Sequence, residues 1–231
     1  MEKLAINHME SQVKNFAVSD AASRRSHVRH AKAQTRSEMI KRVIDLTMAS
    51  LAIFFLMPLL LVVALAIKLD SRGPVLFSQT RRGLNGKPFK ILKFRTMSVM
   101  EDGSVIEQAK RQDSRVTRLG RWLRRTSIDE LPQLINVIRG EMSLVGPRPH
   151  ALAHDEYYGR LIDCYSARQT VKPGITGWAQ INGARGETPE LSDMKRRVEL
   201  DLWYVHSWTV GLDIKIIIIT AIQVLRSPDA F

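Results

Sequence analysis

The sequence predicts a mostly helical α+β fold that combines a re-entrant membrane helix, interfacial amphipathic helices and a small β-hairpin. Three observations carry this prediction. Residues 46–67 form an apolar run without a charge, long enough for a membrane helix. Two short strand patterns flank the dipeptide Asn85-Gly86, which favours a hairpin turn. Apolar residues over 114–138 recur at helical spacing.

The composition indicates one folded core with anionic partners. The chain has 231 residues, with 35 lysines and arginines against 23 aspartates and glutamates, and a formal net charge of +12. Such an excess favours an anionic phospholipid membrane, nucleic acid or phosphorylated substrates, although a solvated basic surface has the same composition. Cys164 is the only cysteine. An intrachain disulfide is therefore excluded, which fits a reducing compartment.

The membrane segment is assigned to residues 41–70. As a straight helix, the apolar run would be roughly 33 Å long, enough to cross a bilayer. Pro58 lies near its middle and removes a backbone donor, which predicts a kink. Basic residues flank the run on both sides: Lys41, Arg42, Lys68 and Arg72. Both ends therefore favour the cytoplasm, as a re-entrant helix allows, and an ordinary proline-containing transmembrane helix is the alternative.

The two ends of the chain carry weaker signals. Residues 1–40 are polar, mixed in charge and poor in aromatic side chains, which predicts a flexible or loosely helical tail. Residues 213–226 are apolar but short for a span and contain Lys215, so either an interfacial helix or a core helix is expected. The aromatic residues just before them fit the headgroup level or the core equally well: Trp203, Tyr204 and Trp208.

A cytoplasmic, membrane-associated domain is assigned to residues 71–231, and it begins with the predicted hairpin. Residues 75–79 and 89–94 have strand patterns on either side of the Asn-Gly turn. Basic side chains concentrate here: Lys87, Lys90, Lys93 and Arg95. They could bind an anion or protect an exposed sheet edge from aggregation.

Two amphipathic helices are predicted after the hairpin. In residues 114–127, Val116, Leu119 and Leu123 share one face while the arginines lie elsewhere, which suits an anionic membrane surface or a solvated face. The next helix has the i, i+3, i+4, i+7 spacing of a buried stripe: Leu131, Leu134, Ile135 and Ile138. Pro132 fits its first turn, where a missing amide is harmless.

An adjacent pair of acids, Asp129 and Glu130, precedes this second helix. One interpretation is local: Ser127 and Glu130 form a capping box, although Pro132 would then stand where an amide is needed. The other interpretation is chemical. A carboxylate can attack phosphorus and form an acyl phosphate, and a neighbouring carboxylate can hold a Mg²⁺ ion that bridges substrate phosphates. Three basic side chains could bind those phosphates: Lys93, Arg124 and Arg148.

Six sequence blocks resemble, in order, those of the bacterial sugar transferases, the monotopic phosphoglycosyl transferases that act on polyprenol phosphate. They are KRVIDL with its apolar run, GPVLFSQTRRG, FKILKFRTM, SIDELPQLINVIRGEMSLVGPRP, VKPGITGWAQING, and ELDLWYV with the SW and LDIKI that follow. The resemblance covers residues 40–225 and is to the short catalytic form, with a polar tail rather than a multi-span N-terminal domain. Pro58 corresponds to the family's membrane break, where Met57 replaces the usual serine.

The resemblance implies a reaction and a role for each site residue. A sugar 1-phosphate would pass from a UDP-sugar to undecaprenyl phosphate, releasing UMP, at the cytoplasmic face of the bacterial inner membrane. This would be the first membrane step of exopolysaccharide or other glycoconjugate synthesis. Asp129 corresponds to the nucleophile and Glu130 to the ligand of Mg²⁺, for which Mn²⁺ could substitute. The phosphate-binding residues correspond to Lys93, Arg124 and Arg148.

Other function classes remain open from the sequence. A non-catalytic, membrane-bound scaffold of a polysaccharide assembly complex would keep the apolar and basic features without needing the acid pair. Nucleic-acid binding would explain the charge but leave the apolar run unused, so no nucleic-acid partner is expected. Residues 183–204 resemble members that begin exopolysaccharides with glucose or galactose, which favours glucose. Homo-oligomer formation is left open.

The remaining candidate residues are assigned mainly structural roles. Residues 172–186 are rich in glycine and are expected to form a loop and hairpin over the site. Within them, Gln180 and Arg185 either contact the nucleotide or sugar or stabilise turns, and the turn role is preferred. Three further residues are interpreted as structural: His150, His154 and Cys164.

Overall fold

The computed structural model describes residues 2–98 and 113–226, with side chains from residue 35 onward except residue 225. Its helices and strands are α1 (Glu2–Asp70), β1 (Leu76–Arg82), β2 (Pro88–Phe94), α2 (Arg118–Arg125), α3 (Gln133–Arg139), β3 (Ser143–Val145), α4 (Leu152–Leu161), β4 (Gly174–Thr176), α5 (Trp178–Ile181), α6 (Leu191–Ser207) and α7 (Val210–Arg226). Short 3₁₀ helices cover Leu84–Gly86, Ile128–Glu130 and Tyr165–Thr170. The contacts divide the chain into Met1–Arg42 and Val43–Phe231.

The described strands form two small sheets, so the predicted mostly helical α+β class is confirmed. β1 and β2 pair antiparallel along their full lengths. β3 and β4 pair in parallel, with Ser143 opposite Gly174. A Cβ atom on Gly174 would lie 2.1 Å from the amide nitrogen of Gly146, so this close approach of two backbones requires glycine.

The predicted hairpin is present, and its strands extend closer to the Asn-Gly turn than the strand patterns over 75–79 and 89–94 predicted. Asn85 and Gly86 both have positive φ angles, 54° and 73°, as the Asn-Gly pair predicts. Gly83 and Lys87 close the turn, with the Gly83 amide donating to the Lys87 carbonyl at 2.8 Å. Five residues, 83–87, connect the two strands.

The helix predicted over 114–127 is shorter than expected. The Thr117 side chain caps α2 by accepting a hydrogen bond from the Gly120 amide at 2.9 Å, so Val116 lies outside the helix. Val116 forms an isolated β-bridge with Met97 instead. Gly120 has a packing role, since a Cβ atom there would lie 2.1 Å from the Thr96 carbonyl oxygen.

Helix α3 buries a different stripe from the predicted one. Leu134 is buried as expected, but Ile138 is 38% exposed, so the predicted stripe is wrong at its end. A polar residue, Asn136, is fully buried in its place. Its side chain donates to the Lys90 carbonyl at 2.8 Å and accepts from the Leu92 amide at 3.0 Å. An amide side chain therefore joins α3 to β2.

Among the described residues, the stretch Thr35–Asp70 of α1 is long and apolar enough to cross a membrane. Only 11% of its apolar window is buried, whereas a core helix of a soluble protein is mostly buried. Its outward apolar side chains include Phe54, Phe55, Leu61, Val62, Leu65 and Leu69. α1 is helical on both sides of Pro58, and the bend expected there stays a prediction. The predicted tail of residues 1–40 lies in α1, and its flexibility also stays a prediction.

Helix α7 combines the two alternatives that the sequence left open. Ile216 is fully buried in a core cluster, while Ile218 is 55% exposed. The preceding aromatic residues divide in the same way. Trp203 is 45% exposed, but Tyr204 is 2% exposed and donates hydrogen bonds to Val145 and Asp213. Of the two alternatives that the sequence left open, the core is therefore the one observed for Tyr204.

Candidate active site

The acidic pair lies in a tight turn between α2 and α3. Ser127 has a left-handed φ of 58° and its side chain caps nothing, after which Ile128–Glu130 forms a 3₁₀ turn. The capping-box alternative is therefore wrong, because the Ser127 side chain makes no capping bond and the Glu130 carboxylate accepts its bonds from Lys93 and Arg148. Asp129 and Glu130 are both buried in this turn. A buried carboxylate is costly without partners, so the contacts of each acid indicate its function.

Glu130 is held by two basic side chains from other parts of the chain. The Lys93 ammonium of β2 donates to Glu130 Oε1 at 2.8 Å. Arg148, between two prolines, donates to Glu130 Oε2 at 2.9 Å and also contacts Oε1. Burial alone would raise the pKa of Glu130, but Arg148 and Lys93 together hold it well below its ordinary value. Glu130 is therefore an anion at neutral pH.

Asp129 has a contrasting environment. It is 6% exposed, and its Oδ1 atom has no hydrogen-bond partner within the described ranges. Burial and the neighbouring Glu130 carboxylate raise the pKa of Asp129 to about 6, against the opposing charges of Lys93, Arg124 and Arg148. An ionised carboxylate with an unpartnered oxygen is a stronger nucleophile than one whose oxygens are hydrogen-bonded.

The structure brings the predicted phosphate-binding residues to this pair in different ways. Lys93 and Arg148 contact Glu130 directly, and their side chains are 20% and 25% exposed, so each keeps an accessible edge. Arg124 projects from α2 and acts on Asp129 through its charge. Three basic groups face two carboxylates, so at least one positive charge remains, which favours the binding of a further anion.

The glycine-rich segment 172–186, predicted as a loop and hairpin, instead forms β4, which pairs in parallel with β3, and the short helix α5. Arg185 donates from Nη2 to the Ser127 hydroxyl at 2.7 Å, so it reaches the turn that carries Asp129. Gln180 has the preferred structural role, since it donates to the Ile175 carbonyl at 3.2 Å. The signal for Arg185 was its charge between two glycines, but nothing in its spacing identified Ser127 as a partner.

The structural assignments of the remaining candidates agree with their surroundings. His150 is buried, and its Nδ1 atom lies 2.8 Å from Arg168 Nη1 and 2.6 Å from the Tyr165 hydroxyl. Burial and the Arg168 charge hold the pKa of His150 well below its ordinary value, so it is neutral. His154 contacts the Tyr158 ring edge-on, and Cys164 is an exposed free thiol. Sequence reasoning missed Arg168, which carried no motif signal.

The chemistry of the acid pair fits a metal that is shared with a substrate. No group of three or more protein metal ligands occurs in the part of the chain that the structure describes. Mg²⁺ usually takes only one or two carboxylates and completes its coordination with water and substrate phosphates. Both oxygens of Glu130, the metal ligand that the resemblance implies, already accept bonds from Lys93 and Arg148, whereas the unpartnered Asp129 Oδ1 is the atom left to act as a nucleophile. Glu130 could join a metal only when substrate phosphates draw one of those cations away.

Comparison with known proteins gives a consistent match. A profile of the family described as "Bacterial sugar transferase" matches residues 36–227. The chain is 55% identical over 195 residues to the UDP-glucose:undecaprenyl-phosphate glucose-1-phosphate transferase of Escherichia coli, covering 84% of this chain and 42% of that protein. A protein of the same name from Caulobacter vibrioides is 53% identical over 194 residues, covering 84% of this chain and 73% of that one.

A third relative is similar in length to this chain. The exopolysaccharide production protein PSS of Rhizobium leguminosarum is 44% identical over 197 residues, covering 84% of this chain and 98% of that protein. The chain thus spans less than half the length of the Escherichia coli relative but nearly the whole length of the Rhizobium one.

The opposite environments of the two acids predict opposite effects on stability. Because the pKa of Asp129 is raised to about 6, the folded state binds this proton more tightly than the unfolded state does. The free energy of unfolding therefore falls as pH rises from about 4 through 6. We expect Asp129→Asn to raise it at pH 7.5 by on the order of 1–3 kcal/mol, a gain that shrinks toward pH 4.

Thermal unfolding in detergent between pH 4 and 8 measures this effect. Glu130→Gln is the matched control. Because the pKa of Glu130 is depressed, its ionised form stabilises the fold above pH 4.5, so its removal should lower the melting temperature at pH 7.5. Identical melting temperatures for wild type and Asp129→Asn at pH 7.5 would contradict the raised pKa.

Proposed function

The chain belongs to the bacterial sugar transferase family, and we propose that it transfers glucose 1-phosphate from UDP-glucose to undecaprenyl phosphate, releasing UMP. The observation that carries this proposal is a buried aspartate oxygen without a partner, next to a glutamate that already gathers a lysine and an arginine. The choice of glucose is supported by the Escherichia coli and Caulobacter relatives, which are named for the transfer of glucose 1-phosphate from UDP-glucose.

The first proposed step is a displacement at phosphorus by Asp129. Its Oδ1 atom attacks the phosphorus that carries glucose, and the bond from that phosphorus to the bridging oxygen of the diphosphate breaks. UMP leaves with that oxygen and its negative charge. Asp129 then carries glucose 1-phosphate as an acyl phosphate, a covalent intermediate that divides one difficult transfer into two easier ones.

The second proposed step returns Asp129 to its starting state. An oxygen of undecaprenyl phosphate attacks the same phosphorus, the bond to Asp129 Oδ1 breaks, and the carboxylate is regenerated. The product is undecaprenyl diphosphate glucose. No proton has to move in either step at a pH above 6, because Asp129 is then ionised and phosphate oxygens are already anionic.

The basic side chains stabilise the charge that both steps develop. Lys93 and Arg148 rest on Glu130, within reach of an anion at their accessible edges. An incoming diphosphate competes with Glu130 for them, so they can move to phosphate oxygens with little rearrangement. Arg124 adds positive charge on the Asp129 side.

We expect purified protein to release UMP from UDP-glucose when undecaprenyl phosphate is present, and more slowly from UDP-galactose. Asp129→Asn keeps the side-chain shape but removes the nucleophile, so turnover should fall by about 10³-fold or more. Wild-type protein mixed with UDP-glucose alone should gain the mass of glucose 1-phosphate less one water at Asp129, measured by mass spectrometry of peptides.

Asp213→Asn is the matched control, because it also removes a buried carboxylate, one that binds Tyr204 and Trp208 in the core. It should still form the adduct. Near-wild-type turnover by Asp129→Asn would eliminate the covalent mechanism. Absence of UMP release from every UDP-sugar would eliminate the transferase and favour the scaffold alternative.

The transfer is further proposed to require Mg²⁺, with Mn²⁺ as a substitute. When bound, the metal would neutralise phosphate charge, and the residues able to hold it are Asp129 and Glu130 together with substrate oxygens. Addition of EDTA should abolish UMP release, and excess Mg²⁺ or Mn²⁺ should restore it. EDTA saturated beforehand with Mg²⁺ is the control and should have no effect. Full activity in excess free EDTA would exclude a metal role.

Both ends of the membrane segment are proposed to lie on the cytoplasmic side of the inner membrane. Ala49, before Pro58, belongs to the core cluster that includes Leu134 of α3. Ile67, after Pro58, belongs to the cluster that includes Leu123 of α2. Both halves of the apolar helix thus contact α2 or α3, the helices on either side of Asp129. If the helix crossed the membrane, one half would lie on the side opposite these helices. The basic flanks favour the same side for both ends.

Cysteine labelling in intact cells tests this topology. Single cysteines replace Glu38 and Arg72 in a Cys164→Ser background, and a membrane-impermeant maleimide should label neither until the cells are permeabilised. Pro58→Leu should straighten the helix and make one of the two positions accessible from outside in a fraction of the molecules. Labelling of the Glu38 position in intact wild-type-like cells would overturn the re-entrant topology.

A further inference from the structure

A buried arginine outside the acidic pair holds the backbone of Arg148. Arg168 lies in the 3₁₀ helix Tyr165–Thr170 and is 4% exposed. Its Nη2 atom donates to the Arg148 carbonyl oxygen at 2.6 Å. Its Nε and Nη2 atoms donate to Asp201 Oδ2 at 3.1 and 2.6 Å. The guanidinium therefore joins the Arg148 backbone to helix α6.

The backbone around Arg148 has few bonds to a strand, although Arg81 of β1 donates to the Pro149 carbonyl at 3.4 Å and forms an isolated β-bridge with Ala151. The two flanking residues, Pro147 and Pro149, have no amide to donate. The parallel pairing of β3 with β4 ends at Val145, and the last backbone bond from β4 reaches the Pro147 carbonyl at 3.0 Å. Beyond it, the carbonyl of Arg148 is held by a side chain instead of by a strand.

The charge of Arg168 is balanced inside the core. The Arg168 and Asp201 side chains are 3% and 2% exposed, so both ions are removed from water. Replacement of such a pair by apolar residues is often neutral for stability, so a buried ion pair is weak evidence for a purely stabilising role. A third contact, from Nη1 to His150 Nδ1 at 2.8 Å, fixes the plane of the guanidinium. The planar fork donates from three separate nitrogens in fixed directions, whereas a lysine donates from a single nitrogen at the end of a flexible chain.

We propose that Arg168, neutralised by Asp201, is a positioning residue for Arg148. It fixes the Arg148 carbonyl so that the Arg148 guanidinium faces Glu130 and, in the reaction proposed above, the diphosphate of the nucleotide sugar. Arg168 does not touch the substrate, because its donors are engaged in the core. This inference rests on the proposed function, since it assigns to Arg148 a phosphate to bind.

A double-mutant cycle between Arg168→Lys and Arg148→Lys tests the proposal. Arg168→Lys should lower kcat/KM for UDP-glucose by about 10- to 100-fold, the loss that a displacement of about 1 Å causes at a reacting group. The loss should be largely absent when Arg148 is already lysine, because there is no guanidinium left to position. If Arg168 had a purely structural role, the losses of kcat/KM in the two single variants would multiply in the double variant.

Arg95→Lys is the matched control. Arg95 is 5% exposed and also donates to backbone carbonyls, those of Ser71 and Arg72, with no contact to Arg148 recorded in the described residues. The loss of kcat/KM caused by Arg95→Lys should multiply with the loss caused by Arg148→Lys. The same cycle is measured as the Kd for UDP-glucose in an Asp129→Asn background, so that it does not depend on residual turnover.

The outcomes separate this inference from the proposed function. If wild type releases UMP but the losses of Arg168→Lys and Arg148→Lys multiply, the positioning role is wrong and the transferase stands. If wild type releases no UMP from any UDP-sugar, both are wrong. Should Arg168→Lys fail to fold, Asp201→Asn replaces it in the cycle. Asp201→Asn weakens the restraint on Arg168, so its loss of kcat/KM should also be largely absent when Arg148 is already lysine. If its loss and that of Arg148→Lys multiply instead, the positioning role is wrong.

Discussion

The shared carboxylate of Glu130 is the interaction on which the rest of the site depends. It accepts hydrogen bonds from Lys93 of the hairpin and from Arg148 of the segment after β3. Both cations are thereby held beside the turn that carries Asp129. Three parts of the chain that are distant in sequence meet at one group. Burial of two cations without this anion would cost several kcal/mol for each, so Glu130 permits the basic site to exist before substrate arrives. The cations are then already ordered, which reduces the entropy lost on binding.

The elements around this group are joined mainly by side chains that bond to backbone. The hairpin has two strands, so one edge of β2 lacks a neighbour, and Asn136 of α3 satisfies the Lys90 carbonyl and the Leu92 amide there. Arg168 does the same for Arg148. Because the strands are so short, polar side chains make backbone hydrogen bonds that a neighbouring strand would make in a larger sheet. These side chains thereby orient the site. Each buried polar group is therefore tied to a specific backbone atom, which favours one arrangement over its alternatives.

The sequence predicted local features well and long-range polar contacts poorly. The hairpin followed from Asn85-Gly86 between two strand patterns, and the site residues followed from motif blocks. The helical stripe of α3 was wrong at Ile138 because a count of apolar residues could not recognise Asn136 as a core residue. The bond between Arg168 and Asp201 joins residues 33 positions apart, and neither has a periodicity or a motif that would reveal its partner.

One buried acid joins the apolar helix α1 to the strand that precedes Arg148. Asp45 is 4% exposed and accepts a hydrogen bond from the Leu144 amide at 3.0 Å. Leu144 lies in β3, which leads directly into the segment that carries Arg148. A carboxylate at the start of an apolar helix needs such a partner, because it is costly to bury alone. The proposed reaction joins a water-soluble nucleotide sugar to a lipid phosphate, so the distance between the site and the membrane surface must be fixed. Since β3 is bound to α1 at Asp45, just before the apolar run begins, that contact can set the height of Arg148 above the lipid.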